Sequence, residues 1–303
     1  MIQAQRLGHA TFETPDLAKA IDYFVEVNGL VVVASNSSSA HLASKLGQLT
    51  MSLVKSDRAH CASLSFEIAP NIDLAEAGKK LAVLGIPSQL RSDPFPGTPH
   101  ALVIADPSGT QLELFSQWSF LDINRNVAGV GPLKIGHVAF FVPELEKVIE
   151  FYERALGFKV SDWLGDQFVF MRCNPDHHTV NFFRGGPTRV HHMAFELKDF
   201  AHVQQGCETL SMHRIPLGWG PVRQGAGHNI AAYHRNPDDH VVEYFCELDQ
   251  MKNEDLGYYE PRPWHTDRPQ RPKVWPRGEW IDGWGTPPAP NFARNERALG
   301  VKG

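Results

Sequence analysis

The sequence reads as an α+β protein of two tandem domains, each made of two βαβββ modules that form a partly closed sheet around a cavity. Three observations carry that reading. The second half repeats the first, a shorter repeat lies inside the second half, and apolar spacing switches between strand and helix periods along each unit. Similarity at a nearly constant offset is a strong architectural signal, because a repeated unit implies a repeated fold.

The long repeat runs in one order. LGHATFETPDLAKAIDYFVEVNGLVVV, from Leu7, aligns with IGHVAFFVPELEKVIEFYERALGFKVS, from Ile135. His9, Pro15 and Gly29 fall on His137, Pro143 and Gly157, each 128 residues on. SLSFEI from Ser63 falls on HMAFEL from His192, 129 residues on. ADPSGTQLELF falls on RNPDDHVVEYF, which sets Glu113 against Glu243, 130 residues on. The two copies span about residues 1–122 and 130–250. That division suits 303 residues at roughly 150 per domain.

Within the second copy, His137-Val-Ala-Phe opens an apolar run that reads as a strand. VPELEKVIEFYERALGF follows, with Leu145, Val148, Ile149, Tyr152 and Leu156 at helical spacing and Gly157 as the stop. WLGDQFVFMRC and HTVNFF then read as strands separated by turn residues. His192-Met-Ala-Phe opens the next module in the same way as His137. From Met251 to Gly303 the composition changes to Pro, Trp and Arg. Proline forbids regular structure through most of this tail. Its tryptophans supply aromatic area to tie it down, so it is expected to wrap the second domain or a neighbouring subunit.

The balance of charge narrows the partners. At −5 the chain lacks the basic surface that nucleic acid requires. No stretch approaches the roughly 18 apolar residues of a membrane span. MIQAQRLGHATFE has neither the basic start nor the apolar core of a secretory signal, and the expected location is the cytoplasm. Four scattered cysteines form no C-x-x-C pair and are read as reduced.

Histidines are numerous, at 15, and several fall in apolar runs where an imidazole needs a partner or a metal. A single histidine in a strand is ordinarily a hydrogen-bonded core residue, and a single glutamate near a strand end ordinarily faces solvent. His137, His192 and Glu243 differ because the repeat places them at equivalent module positions, where paired modules bring them to one cavity. Two imidazoles and one carboxylate are the facial triad of non-haem iron(II) oxygenases. The same donor set accepts Mn(II). The first copy keeps His9 and Glu113 but has Ser63 in place of the second histidine, so it is read as structural.

At these residues the sequence resembles the type I extradiol dioxygenases of the vicinal oxygen chelate superfamily, over about residues 6–250. The motifs are GHVAFFVPELEKVIEFYERALGFKVSD, HHT at His177 to Thr179, VHHMAFEL, and NPDDHVVEY ending at Glu243 and Tyr244. The resemblance implies a small-molecule catechol and O₂ as substrates, Fe(II) as cofactor, and a role in aromatic catabolism. It also implies His178 as acid/base histidine, Tyr233 as a hydrogen-bond partner of a substrate oxygen, and a homo-oligomer. His191, next to the ligand, is expected to face the other side of its strand, since side chains alternate with period two. One departure stands out. Where the family often has GPGRHG, this chain reads GPVRQGAGHN, with Gln224 in place of a histidine and His228 nearby. Glutamine donates a hydrogen bond but transfers no proton at neutral pH. Arg223, Arg262 and Trp264 are candidates for the pocket mouth. The rival readings are a metal-dependent isomerase or lyase of the same superfamily, marked by a fourth protein ligand, and a non-catalytic binding or resistance protein.

Overall fold

A computed structural model describes residues 2–124, 128–276, 283–290 and 292. The first half runs β1 (Ala4–Thr14), α1 (Leu17–Asp22) with a π-helical turn (Tyr23–Val27), β2 (Val31–Ser35), β3 (Ser39–Ala43) and β4 (Leu49–Lys55). It continues with β5 (His60–Ile68), α2 (Leu74–Val83), β6 (Gln89–Phe95), β7 (Thr98–Ala105) and β8 (Gln111–Phe115). The second half repeats this as β9 (Lys134–Val142), α3 (Leu145–Leu156), β10 (Lys159–Leu164), β11 (Phe168–Arg172) and β12 (Val180–Arg184). Then come β13 (Arg189–Glu196), α4 (Phe200–Met212), β14 (Trp219–Arg223), β15 (Ile230–Arg235) and β16 (Val241–Cys246). These are the four expected βαβββ modules.

They form two curled sheets, ordered β2-β3-β4-β1-β5-β8-β7-β6 and β10-β11-β12-β9-β13-β16-β15-β14. Two modules join in each sheet through one antiparallel pair, β1 with β5 and β9 with β13. The opening strand of each module is therefore central, and it is buried on both faces. β9 shows this, with eight of its nine residues buried. One face meets the helices and the other faces the concave cavity.

α3 illustrates how local sequence sets an element. Its buried stripe is Leu145, Val148, Tyr152, Ala155 and Leu156. It stops at Gly157, which takes the left-handed conformation (φ 71°) that glycine adopts without a Cβ penalty. The amides of Gly157 and Phe158 bond back to Glu153 and Tyr152 at 3.2 and 3.1 Å and satisfy the final carbonyls.

The helical sides of both sheets share one core. Phe66 of β5 meets Phe158 edge-on at 5.5 Å, and Phe24 meets Phe195 at 6.3 Å. Polar bonds cross between the halves as well: Thr14 Oγ1 donates to Asp238 at 3.0 Å, and the Tyr23 hydroxyl lies 2.5 Å from His234 Nε2. The tail packs on the second sheet and adds a strand to each edge. β17 (Val274–Trp275) runs parallel to β10, and β18 (Trp284–Gly285) antiparallel to β14. Residues 277–282, 291 and 293–303 of the tail lie outside the described residues. Among the described residues no helix is long and apolar enough to cross a membrane, and all four cysteines are free thiols.

Burial holds His9 and His234 neutral, each pushed down to about 3. An unfolded histidine titrates near 6.5. Below that pH the unfolded chain binds protons that the folded chain refuses, so stability falls as pH drops from 6.5 toward 3. At pH 5 the loss is about 2 kcal/mol for each of the two. Thermal melting should give a lower Tm at pH 5 than at pH 7, and an unchanged Tm would contradict this account of the two histidines.

Candidate metal centre

β9, β13 and β16 lie side by side at the centre of the second sheet. His137, His192 and Glu243 project from them onto the concave face. The backbone register explains their convergence. Ala194 pairs with His137 across β9 and β13, and with Glu243 across β13 and β16. His192, two residues from Ala194, leans over that small side chain toward the other two. Gly136 has a local role here, since a Cβ at that position would overlap the Phe245 ring, which packs 5.1 Å from the His137 ring.

The three donor atoms form a nearly equilateral triangle. His137 Nε2 lies 3.2 Å from His192 Nε2 and 3.1 Å from Glu243 Oε2, and His192 Nε2 lies 3.3 Å from the same oxygen. Donors bonded at about 2.0–2.2 Å to an octahedral ion sit about 3 Å apart along one face. The electrostatics agree with that geometry. Glu243 is 1% exposed. A carboxylate so deeply buried costs several kcal/mol unless a positive charge compensates it. Of the two imidazoles beside it, His192 does not supply one, because burial, with His191 and His137 nearby, holds it well below the usual histidine range. A neutral imidazole is the metal-binding form, so the residues present fit a divalent cation.

A ring of further groups surrounds the triangle. Asn229 Nδ2 donates to Glu243 Oε1 at 2.9 Å, which leaves Oε2 for the triangle. Sequence reading missed Asn229, although counting back from Tyr233 in steps of two through Ala231 reaches it. Tyr233 pairs directly opposite Glu243 in the β15–β16 ladder. Its ring stacks on Trp219 at 4.9 Å, and its hydroxyl receives a 2.5 Å bond from Gln224 Nε2. His178, just ahead of β12, sets its ring 4.2 Å from that of His137 and 5.0 Å from Phe170. Burial, with His137, His177 and His192 nearby, holds it well below the usual histidine range as well.

The structure departs from period-two alternation at His191. The β9–β13 register slips between Val190 and His192, a β-bulge with His191 as the extra residue. His191 therefore shares the concave face with the triad instead of facing away. Its ring packs against Phe183 and Phe141, and its Nδ1 lies 2.6 Å from His192 Nδ1. That bond fixes the orientation of the His192 ring from behind. One rung further out, Phe141, Arg189, His191 and Val241 line a cavity of about 240 Å³ that reaches Ala59 to Cys61 of the first half.

Arg223, Trp264 and His228 are not brought to the triad. Arg223 lies over the Trp264 ring at 4.1 Å, donates to the His228 carbonyl and pairs with Glu247, which clamps the tail to the sheet edge. Arg262 flanks the same indole at 5.5 Å. His228 Nδ1 bonds Asp249 at 2.7 Å, and His265 Nε2 bonds the other oxygen of that carboxylate at 3.0 Å. Burial pushes the Asp249 carboxyl up, but the bonds from His228 and His265 outweigh it and hold the group below its ordinary value. Gln224, not His228, is the residue beside Tyr233.

The first sheet shows what the same scaffold looks like with the centre filled. Ser65 occupies the place of Ala194, and its hydroxyl lies 2.9 Å from His9 Nε2 and 2.5 Å from Glu113 Oε2. Ser63, the counterpart of His192, also donates to Glu113 at 3.2 Å. Burial raises the Glu113 carboxyl above its ordinary value. By register, Leu49 stands where the second sheet has His178, and Val103 where it has Tyr233. Hydroxyl groups thus satisfy the histidine and glutamate that remain, and apolar residues stand in the places of His178 and Tyr233.

Residues 134–244, which contain the whole triad, match the family described as the Glyoxalase/Bleomycin resistance protein/Dioxygenase superfamily. The chain is similar to metapyrocatechase 2 of Cupriavidus necator, at 25% identity covering 96% of this chain and 92% of that protein. It is also similar to a manganese-dependent 2,3-dihydroxybiphenyl 1,2-dioxygenase of Geobacillus genomosp. 3, at 23% identity covering 89% and 93%. Among solved structures, the Mn(II)-bound glyoxalase from Novosphingobium aromaticivorans superposes with a TM-score of 0.81 at 24% identity, covering 96% of this chain and 94% of that one. Homoprotocatechuate 2,3-dioxygenase from Brevibacterium fuscum, in its substrate complex, superposes with a TM-score of 0.79 at 24% identity, covering 96% and 92%.

The contrast between the sheets predicts one divalent ion per chain. His192→Ala should abolish its binding, whereas Ser63→Ala should leave it unchanged, as measured by metal analysis after dialysis. Asn229→Ala should weaken affinity by about 10- to 100-fold, the usual cost of losing a group that orients a ligand. Two equivalents of bound ion would contradict the assignment.

Proposed function

We propose that this chain opens the aromatic ring of a catechol beside its diol, using O₂ and an Fe(II) or Mn(II) ion held by His137, His192 and Glu243. The observation that carries the reading is the company the triad keeps: a buried neutral histidine and a tyrosine, His178 and Tyr233, stand at its edge. The named catechol dioxygenases among the relatives, one of them manganese-dependent, support both the reaction and the choice of ion. On this view residues 1–122 form a structural unit, 130–250 a catalytic unit and 251–303 a Pro/Trp-rich C-terminal tail. It takes the protein as a cytoplasmic homo-oligomer of aromatic catabolism.

When bound, the ion supplies chelation of both diol oxygens and a route for electrons between the ring and O₂. The chain's own residues supply the rest. His178, neutral and 3% exposed, accepts a proton from a diol hydroxyl and returns it later to the oxygen that attacks the ring. Tyr233 hydrogen-bonds a substrate oxygen. Gln224 donates to the Tyr233 hydroxyl and holds it in place. Phe170 and Phe183, with their rings beside His178 and His191, exclude water from that side. Both atoms of O₂ enter the product, which carries a conjugated hydroxymuconic chain and is yellow.

A second reading, an isomerase, rests on the fold shared with the Mn(II)-bound glyoxalase. The two are separated by loading the protein anaerobically with Fe(II) or Mn(II), offering a panel of catechols, and following O₂ uptake and near-visible absorbance. Yellow product with stoichiometric O₂ uptake is expected. Colourless diacid would mean cleavage between the hydroxylated carbons, and isomerisation without O₂ uptake would favour the second reading. His178→Phe should retain the ion and bind catechol yet turn over about 10²- to 10⁴-fold more slowly, the range lost with a positioned acid–base group. Loss of the ion together with activity would instead make His178 a ligand.

A further inference from the structure

His178 is the inner end of a buried chain of three side chains that begins at Asp162 on β10. His178 Nδ1 lies 2.9 Å from His177 Nδ1, and His177 Nε2 lies 3.0 Å from Asp162 Oδ2. The three residues are 3%, 0% and 1% exposed. Asp162 also accepts two bonds from the tail. The Lys273 amide donates to Oδ1 at 2.8 Å, and the Trp275 indole donates to Oδ2 at 2.8 Å. Strand β17 holds both donors in place, since Trp163 and Leu164 of β10 pair with Val274 and Trp275. Tyr259, also from the tail, covers the His177 ring at 5.1 Å, and the Asp249 carbonyl accepts the His177 amide at 2.8 Å.

The hydrogen bonds place the protons. Asp162 faces three N–H donors and acts as an acceptor to all of them. With His177 in its neutral form, its proton sits on Nε2 facing the carboxylate and Nδ1 has only a lone pair. At 2.9 Å two facing lone pairs would repel, so His178 carries its proton on Nδ1 and donates it to His177. The remaining nitrogen of His178, Nε2, is left as a lone pair.

We propose that Asp162, locked by the C-terminal strap, acts through His177 to hold His178 in the one tautomer whose Nε2 can accept a proton. Asp162 and His177 are positioning residues, and His178 alone meets the reacting atoms. In the opposite tautomer Nε2 would carry hydrogen and could not begin the reaction. The strap is thereby part of the catalytic apparatus without touching substrate. The catalytic consequence rests on the ring-cleavage reading above, but the tautomer assignment does not.

Long-range ¹H–¹⁵N spectra of the zinc-loaded, ¹⁵N-histidine-labelled protein, with His178→Phe to assign the signal, read the tautomer directly. His178 should be protonated on Nδ1 and bare on Nε2, and an Nε2–H signal overturns the proposal whatever the activity. In the Fe(II)- or Mn(II)-loaded enzyme, Asp162→Ala should lower kcat by about 10- to 100-fold with ion content and the KM for catechol unchanged. Unchanged kcat in a folded variant also overturns it. If Asp162→Ala does not fold, position 177 decides. Asparagine keeps an oxygen facing His178 Nδ1, whereas leucine is closer to histidine in volume but offers no acceptor. His177→Asn should keep more activity than His177→Leu, and the reverse order would mean that His177 serves packing only. A wild-type protein with the expected tautomer but no turnover of any catechol would overturn the ring-cleavage reading and leave the tautomer assignment standing.

Discussion

A carboxylate that is 1% exposed, flanked by two imidazoles and an amide, is the interaction on which the second half of this protein depends. Burying Glu243 is tolerable only where positive charge and hydrogen bonds converge on it. The sheet provides that place by putting the opening strands of two modules side by side at its centre. Much of the surrounding sequence serves the same point. Gly136 admits the Phe245 ring, Ala194 leaves the centre open, Asn229 occupies the outer oxygen, and a bulge turns His191 inward to steady His192.

The two halves test that account against each other, since they share a fold and differ in a few side chains. With Ser65 in place of Ala194, a hydroxyl joins His9 to Glu113, and no ion is needed to reconcile them. With Leu49 and Val103 in place of His178 and Tyr233, the first sheet lacks the imidazole and the hydroxyl that flank the second triangle. The first sheet still contributes to the second through the common core and through buried links such as Tyr23 to His234. In the proposed division, one half supplies stability while the other retains the chemistry.

The tail connects stability with chemistry. Arg223 lies 4.1 Å from the Trp264 ring and 5.9 Å from the Trp284 ring, while Trp275 and the Lys273 amide satisfy Asp162. Aromatic area anchors a proline-rich segment that has little regular structure of its own. The same anchoring sets the polarity of the hydrogen bonds leading to His178. Gln224 likewise donates to the Tyr233 hydroxyl, as a donor whose direction does not depend on pH.

The sequence by itself determined the four modules, the pairing of the two halves and the set of His137, His192 and Glu243. It did so because strand and helix periods are local and because the repeat compares equivalent positions directly. His178, Tyr233 and Gln224 were legible through motif resemblance, and the structure places all three at the cavity. The tertiary structure alone decided the rest. It turned His191 inward, because a bulge breaks period two without any mark in composition. It set Arg223, Trp264 and His228 to holding the tail and the loop, because their partners lie tens of residues away. It joined Asp162 to residues 111 and 113 positions further on, Lys273 and Trp275. Hydrogen bonds between distant residues depend on register and strand addition, and neither is encoded in local spacing.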